Sequence, residues 1–402
     1  MKFTDFKDIY TFIFSLLIFI LPLESIGSAV PNIMLGLIVL LFPFIVKKSD
    51  FIQFRRKEFL ILLLLVVYLT VRLLIIDPIY ELKFIKKILP VLIIFVCSIP
   101  IKKTSVLKYS FIIGVFISIA ISLVNIVFVI KENPDFQFAD GSIVNNALSL
   151  ERIYIGFVVC ISLIFSFELC NSIKRGKLKF LLYANILIGF IFLFIIVARM
   201  AILTSFIILF FNGYRLFTKT IFRILYLSLV AACVILIGWL NVDNISKRVH
   251  YKGTLEESIE WAEHREPRVL IWSCSLKFLQ SREHNFFFGN GHDEVQTFLN
   301  NCYMDTIPPK YQYKEDVFIR NEYNTHNQYL DFFSSTGVIG VVLLVLLMIT
   351  YCYTNYWKME VVLAIASLAM FIMIENIFHR QLGFYLVAVL LVMISPKLEE
   401  SN

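Results

Sequence analysis

Charged residues are scarce in this 402-residue chain: Asp, Glu, Lys and Arg supply 17% of it, against 59% apolar and 15% aromatic residues. A water-soluble domain carries about a quarter charged residues, so this composition excludes one. The basic excess is modest as well, at +7, and it sits in short loops and at helix ends. It reads as membrane anchoring, and no nucleic-acid partner is implied. Histidine and cysteine number only six and seven, and no zinc-binding spacing occurs among them. His284 and His292, with Asp293 and Glu294 beside them, read as solvated loop residues. The Gly-x-Gly at Gly289-Asn290-Gly291 follows no strand and is no dinucleotide fingerprint. Its glycines allow a tight turn or an anion-binding nest.

What the chain has instead is apolar windows of about 17 to 23 residues, each long enough to cross roughly 30 Å of hydrocarbon at about 1.5 Å per residue. They fall near 9–26, 28–46, 59–77, 84–100, 108–130, 151–170, 179–198, 199–216, 221–241, 328–353, 358–376 and 380–396. The expected fold is all-α and polytopic, with about twelve transmembrane helices and one large loop between the ninth and tenth. Lys86 and Lys87 shorten the fourth window. The first has a basic start and a cleavable-looking Ser25-Ile26-Gly27-Ser28-Ala29, but the alternation of sides needs it as a span. The expected organisation is helices 1–5 in 1–150, helices 6–9 in 151–241, a loop domain in 242–327, and helices 10–12 with a short tail in 328–402.

Nineteen of the 37 basic residues fall at the N-terminus, in alternate short loops and at the C-terminus. The opposite short loops and helix ends hold only Arg72, Lys83, Lys86, Lys87, Lys131, Arg152, Arg199 and Arg380. Basic residues mark the cytoplasmic side, so both termini are expected there and the large loop outside. All six histidines (His250, His264, His284, His292, His326, His379) then face outward, as do most polar loops.

The outward arginines are more informative. Arg152, Arg199 and Arg380 each begin a span, Arg72 lies near the outer end of another, and Arg199 has apolar neighbours from Ile195 to Leu203. An arginine so placed either snorkels or pairs with an anion, and four of the same sidedness predict an anion-binding vestibule. In the large loop, 254–264 reads as a short amphipathic helix. A second over 267–281 has Val269, Leu270, Trp272, Leu276 and Leu279 on one broad face and Pro267 in its first turn. Arg268 at that N-terminus either makes a phosphate site or pairs with Glu263, Glu266 or another loop carboxylate.

Past the loop, Thr325 and Gln328 have capping-box spacing. That puts His326 at the first helical position, where the helix dipole disfavours imidazolium. There it either accepts a proton or simply caps an interfacial helix. Glu256, Glu257, Glu260 and Glu263 read as a solvated face, one of which can serve His326 as a carboxylate partner. Cys274 and Cys302 share the loop, where an oxidising compartment can pair them, although spacing does not decide it. The other cysteines read as small buried apolar residues.

These pieces also occur in a telling order. Glu151-Arg152 opens a middle span, and Ala198-Arg199-Met200-Ala201 joins two more. The loop carries Arg268-x-x-x-Trp272 and Phe288-Gly289-Asn290-Gly291; His326-Asn327-x-Tyr329-Leu330 then runs into Thr336-Gly337-Val338-Ile339-Gly340. Across roughly residues 150–395 the set resembles the O-antigen ligase and O-antigen polymerase superfamily of bacterial envelope glycan assembly. The resemblance implies a GT-C-like membrane glycosyltransferase of the bacterial cytoplasmic membrane, with its site facing outward. It implies transfer of a glycan from undecaprenyl pyrophosphate to a hydroxyl acceptor, lipid A-core in a ligase or another repeat unit in a polymerase. The transfer is inverting, with no cofactor, nucleotide sugar or required metal.

By motif, the resemblance makes Arg199 and Arg268 diphosphate-binding and His326 catalytic. Arg152, Arg380, Asn327 and Arg72 are flanking candidates for binding the diphosphate or glycan. No arginine here is followed eleven positions later by glycine, a polymerase pattern, so ligase is the first reading and polymerase the alternative. No soluble domain is expected after the last span, unlike in the longer protein-glycosylating members. A transporter or lipid flippase is the competing class, but its expected mid-span polar residues reduce to Asn125 and Asn185.

Overall fold

The computed structural model describes residues 6–396 except 28, 77, 133–140, 175, 217–218, 227, 229–231, 233–266 and 308–316. In hydrocarbon each backbone N–H and C=O needs a partner within its own segment, and an apolar run satisfies this only by coiling. Every regular element among the described residues is accordingly a helix. In chain order they are α1 (Phe6–Ile20), α2 (Val30–Ile45), α3 (Lys57–Ile76), α4 (Pro78–Cys97), α5 (Thr104–Glu132), α6 (Gly141–Ala147) and α7 (Arg152–Ser172). There follow α8 (Lys177–Ile195), α9 (Arg199–Leu216), α10 (Pro267–Gln280), α11 (His292–Thr306), α12 (Gln328–Thr354), α13 (Met359–Ile372) and α14 (Gln381–Ile394).

Six stretches among the described residues are long and apolar enough to cross a membrane, or seven if the bent pair Val30–Ile45 and Lys48–Arg55 is one span. Helices α13 and α14 are shorter apolar segments. The protein is thus an all-helical, multi-pass membrane protein. Most of the ninth window, and all of 254–264 with its four glutamates, lie outside the described residues.

Helix α7 is the hub: 89% of its most apolar window is buried, between α5, α8, α9 and α13. Helix α3 shows the opposite character. Its exposed Leu60, Leu64, Val67 and Val71 recur at spacings of four, three and four, a lipid-facing stripe. Asn185, the polar residue that the transporter reading needs, donates to Ser162 Oγ and Ser166 Oγ (3.0 Å each) and so ties α8 to α7. Helices α10 and α11 form a small outer body around Leu270, Ile271, Phe278, Val295, Leu299 and Tyr303. A Cys274–Cys302 disulfide staples the two helices.

The outer body docks on the membrane helices by backbone contact. Asn290 N donates to Ser334 O and Gly291 N to Ser335 O (2.9 Å each), and Val338 N donates back to Phe286 O (2.9 Å). This pairing needs a break in α12, and Gly337 supplies it at φ 71°, ψ −175°. It also needs two bare Cα positions. A Cβ on Gly337 would lie 2.2 Å from Phe287 O, and one on Gly289 2.4 Å from Ser335 C, with φ +65° at Gly289. The glycines of Gly289-Asn290-Gly291 thus serve a turn packed on a helix, and the anion-nest option falls away. Gly337→Ala is expected to lower stability by about 1–3 kcal/mol through left-handed strain alone, with the collision in addition. A thermal melt in detergent reads it, with Gly36→Ala, whose Cβ meets nothing within 4 Å, as the control.

The capping expectation is corrected. Helix α12 starts at Gln328, and its cap is Asn327, which accepts from Tyr329 N (3.0 Å) and Leu330 N (3.2 Å). His326 stands outside the helix at φ +42°. The reason is local competition for side chains. Thr325 Oγ1 donates to Asn327 O (3.1 Å) and accepts from Asn376 Nδ2 (2.9 Å), while Gln328 turns inward to Phe378 N (3.0 Å) and Asp331 (3.0 Å). Neither side chain is left to close a capping box.

Candidate active site

The site begins where α7 and α9 start. A Cβ on Gly156 would lie 2.8 Å from the Cβ of Ala201, so only small residues let these helices approach so closely. That contact sets Arg152 beside Arg199. The turn into α9 is tight enough to force Val197 to φ +51°, which is costly for a β-branched residue. It is held by Val197 N to Phe194 O (3.1 Å) and Ala198 N to Leu193 O (3.2 Å).

Arg268 arrives from the outer body in the first turn of α10. Four residues on, Trp272 Nε1 donates to Thr325 O (3.1 Å) and fastens that helix beside the His326 turn. Arg152, Arg199 and Arg268 together line one cavity of about 260 Å³, with Asn145 as a further polar wall and Ala198, Phe371 and Ile374 as apolar ones. Asn145 Oδ1 also accepts from Arg152 N (3.2 Å). The cavity thus gathers three guanidiniums, groups of the kind that attract anions.

His326 does not line that cavity. It is joined to it through the segment after α13. Ile374 is a wall of the cavity, and the next residue, Glu375, turns to His326, with Oε2 3.3 Å from Nδ1. The two segments run on as a zipper: Asn376 on Thr325, Phe378 on Gln328 and His379 on Asp331. Asn324 Oδ1 accepts from His326 N (3.1 Å), and the Tyr323 ring meets the imidazole edge-on at 5.7 Å. Burial pushes the Glu375 carboxyl up, but the hydrogen bond and charge of His326, with the charges of Arg380 and Arg268, outweigh it and hold the carboxyl below its ordinary value. Glu375 is therefore an anion placed between the imidazole and two guanidiniums. Its Oε2 accepts the Nδ1 proton, so that whenever the ring is neutral its lone pair lies on Nε2.

The remaining expected residues are placed elsewhere. Arg380 lines a neighbouring cavity of about 340 Å³ that shares Asn145. It is paired with Glu151 and stacked 5.6 Å from the centre of the Tyr154 ring. Arg72 lies on the lipid-facing side of α3, and its Nε and Nη2 donate to Phe288 O (2.8 Å) and Gly289 O (2.5 Å). It holds the outer loop in place and does not line the cavity of the other three arginines. The side-chain oxygen of Asn327 is committed to the helix cap.

The expectation that His292 is solvated also fails. It is 8% exposed, with Nδ1 2.7 Å from Glu81 Oε2. Burial opposes charge on this ring, and Asp331 and Glu81 outweigh burial and raise its pKa to about 10. Glu375 partners His326, while the loop glutamates expected as candidates for that place lie outside the described residues. The signal for Glu375 was present in the sequence, because a carboxylate inside the apolar window 358–376 costs free energy unless it has a use.

Among curated proteins no match is found. A family model described as O-antigen ligase matches residues 184–345, a stretch that carries Arg199, Arg268 and His326 and stops short of Glu375 and Arg380. That match covers less than half of the chain and supports its similarity to the O-antigen ligase and polymerase superfamily.

Proposed function

We propose that the protein transfers a glycan from undecaprenyl pyrophosphate to a hydroxyl of lipid A-core at the outer face of the bacterial cytoplasmic membrane. It does so on a GT-C-like scaffold of about twelve spans, with inversion at the anomeric carbon. The observation that carries this reading is the convergence of Arg152, Arg199 and Arg268 on one cavity, beside an imidazole already oriented by a carboxylate. In the step itself the acceptor oxygen bonds to the anomeric carbon, and the bond from that carbon to the lipid diphosphate breaks. The electron pair leaves with the diphosphate, where the guanidiniums stabilise it, and the acceptor proton passes to His326 Nε2. Glu375 stabilises the imidazolium that forms. The disulfide between α10 and α11 supports an outward, oxidising location for this side.

Deletion in the native host tests the acceptor. The ligase reading expects finished polymer stranded on the lipid carrier and lipid A-core left bare. Single repeats attached to lipid A-core would instead make the protein a polymerase. A strain whose carrier-linked and core-linked glycans are both unchanged would overturn the proposal.

A further inference from the structure

Away from the arginine cavity, three elements bring His292 (the first residue of α11), Asp331 (in the first turn of α12) and His379 (just before α14) together. One donor atom from each lies within 4.8 Å of the others. His379 Nε2 is 3.0 Å from both Asp331 oxygens, and His292 Nε2 is 3.6 Å from Asp331 Oδ2. Donors bound tetrahedrally at about 2.0–2.1 Å from a zinc ion stand roughly 3.3 Å apart, so both histidines already stand near ligand spacing from Asp331.

Hydrogen bonding to Glu81 fixes which nitrogen of His292 faces the cluster. Glu81 accepts from His292 N through Oε1 (2.5 Å) and faces His292 Nδ1 through Oε2 (2.7 Å). A carboxylate only accepts, so Nδ1 carries a hydrogen and Nε2 is the nitrogen turned toward Asp331. That Nε2 is buried, has no hydrogen-bond partner, and points at a carboxylate oxygen. A divalent ion bound there would meet a nitrogen and a carboxylate oxygen together, and would take the place of any proton on Nε2.

The surroundings are those of a supported metal ligand set. Glu81 orients His292 as carboxylates orient metal-bound imidazoles, Gln328 Nε2 donates to Asp331 Oδ2 (3.0 Å), and the Phe84 ring stacks on His292 at 4.3 Å. Lys87 reaches the main-chain oxygen of His379 (2.6 Å) and none of the ligand atoms. Two imidazoles and a carboxylate form a nitrogen-and-oxygen set that suits zinc, whereas magnesium and calcium prefer all-oxygen shells. The partly exposed side of His379 leaves a fourth position to water.

We propose that His292, His379 and Asp331 bind one zinc-class divalent ion that fastens the outer body to α12 and to the segment carrying Glu375, with no part in the transfer step. The full chain, purified in detergent without a polyhistidine tag or chelator and loaded with zinc, is expected to hold about one zinc per chain by elemental analysis. Removal of that zinc should lower the melting temperature by about 2–8 °C, with recovery on adding zinc and none on adding magnesium. His292→Gln and His379→Gln should each weaken zinc binding more than about tenfold, and Glu81→Gln by about 10–100-fold. Wild-type protein that stays metal-free after loading and melts unchanged overturns the proposal. So does zinc retained undiminished in both histidine variants, because the ion then sits elsewhere. Should those variants fail to fold, loading and melting of the wild type decide the question alone.

Discussion

Alanine at Arg268 or at Arg199 lowers glycan transfer by about 10²- to 10³-fold, the cost of removing one preorganised group aimed at charge that develops in a transition state. The loss falls on kcat more than on KM, because the diphosphate gains charge only as the glycosidic bond breaks. Lysine at either position recovers part of the rate, since it returns the charge without the planar fork that grips two phosphate oxygens at once. The double variant loses less than the product of the single losses, because both groups serve one leaving group in one cavity of about 260 Å³. Release of lipid diphosphate from a labelled donor measures the rate, and a melting curve on the same preparation controls for folding. Arg72→Ala supplies the contrast. Its guanidinium is bonded to Phe288 O and Gly289 O, so the melting temperature drops and the surviving folded protein keeps its kcat. Full activity in both Arg199→Ala and Arg268→Ala would leave the three-arginine cavity without a catalytic part.

The contrast among these arginines marks what the sequence could and could not reveal. A run such as Leu343–Leu347 announces its helix because hydrocarbon leaves the backbone no other option. A lone Arg199 among apolar neighbours announces a cost that something must offset. Neither says which distant residue meets it. Arg72 and Arg199 look alike in sequence, but one finds carbonyl oxygens 216 and 217 positions away and the other lines the cavity. Gly156 and Ala201 set the approach of α7 to α9, and neither residue looks unusual in its own helix. The cap of α12 was misplaced by two residues because Thr325 and Gln328 have partners about fifty positions on, which local spacing cannot register. The resemblance supplied the roles of Arg268 and His326, and it reached no further than its own motifs, so Glu375 stayed hidden in an apolar window.

Glu375→Gln is the substitution that separates orientation from mere proximity. It keeps the shape of the side chain and removes the anion that accepts from His326 Nδ1. The amide of the glutamine can donate where the carboxylate could only accept, which favours the tautomer with its proton on Nε2 and takes away the lone pair that the acceptor hydroxyl needs. Transfer is expected to fall by about 10²- to 10⁴-fold, as for His326→Ala, and the pair together should do little worse than either alone. A simple loss of packing would instead give additive effects and a KM change. Acid stability provides an independent readout. The Glu375 carboxyl is held below its ordinary value in the folded protein, so it binds its proton less readily there than in the unfolded chain. Its contribution is complete above the unfolded carboxylate range near about 4.3 and is lost as pH falls through the folded value. The wild-type melting temperature therefore declines on acidification below about pH 5, and Glu375→Gln flattens that part of the decline. If the variant matched the wild type both in rate and in its acid profile, the carboxylate would be a bystander and His326 would have to work without it.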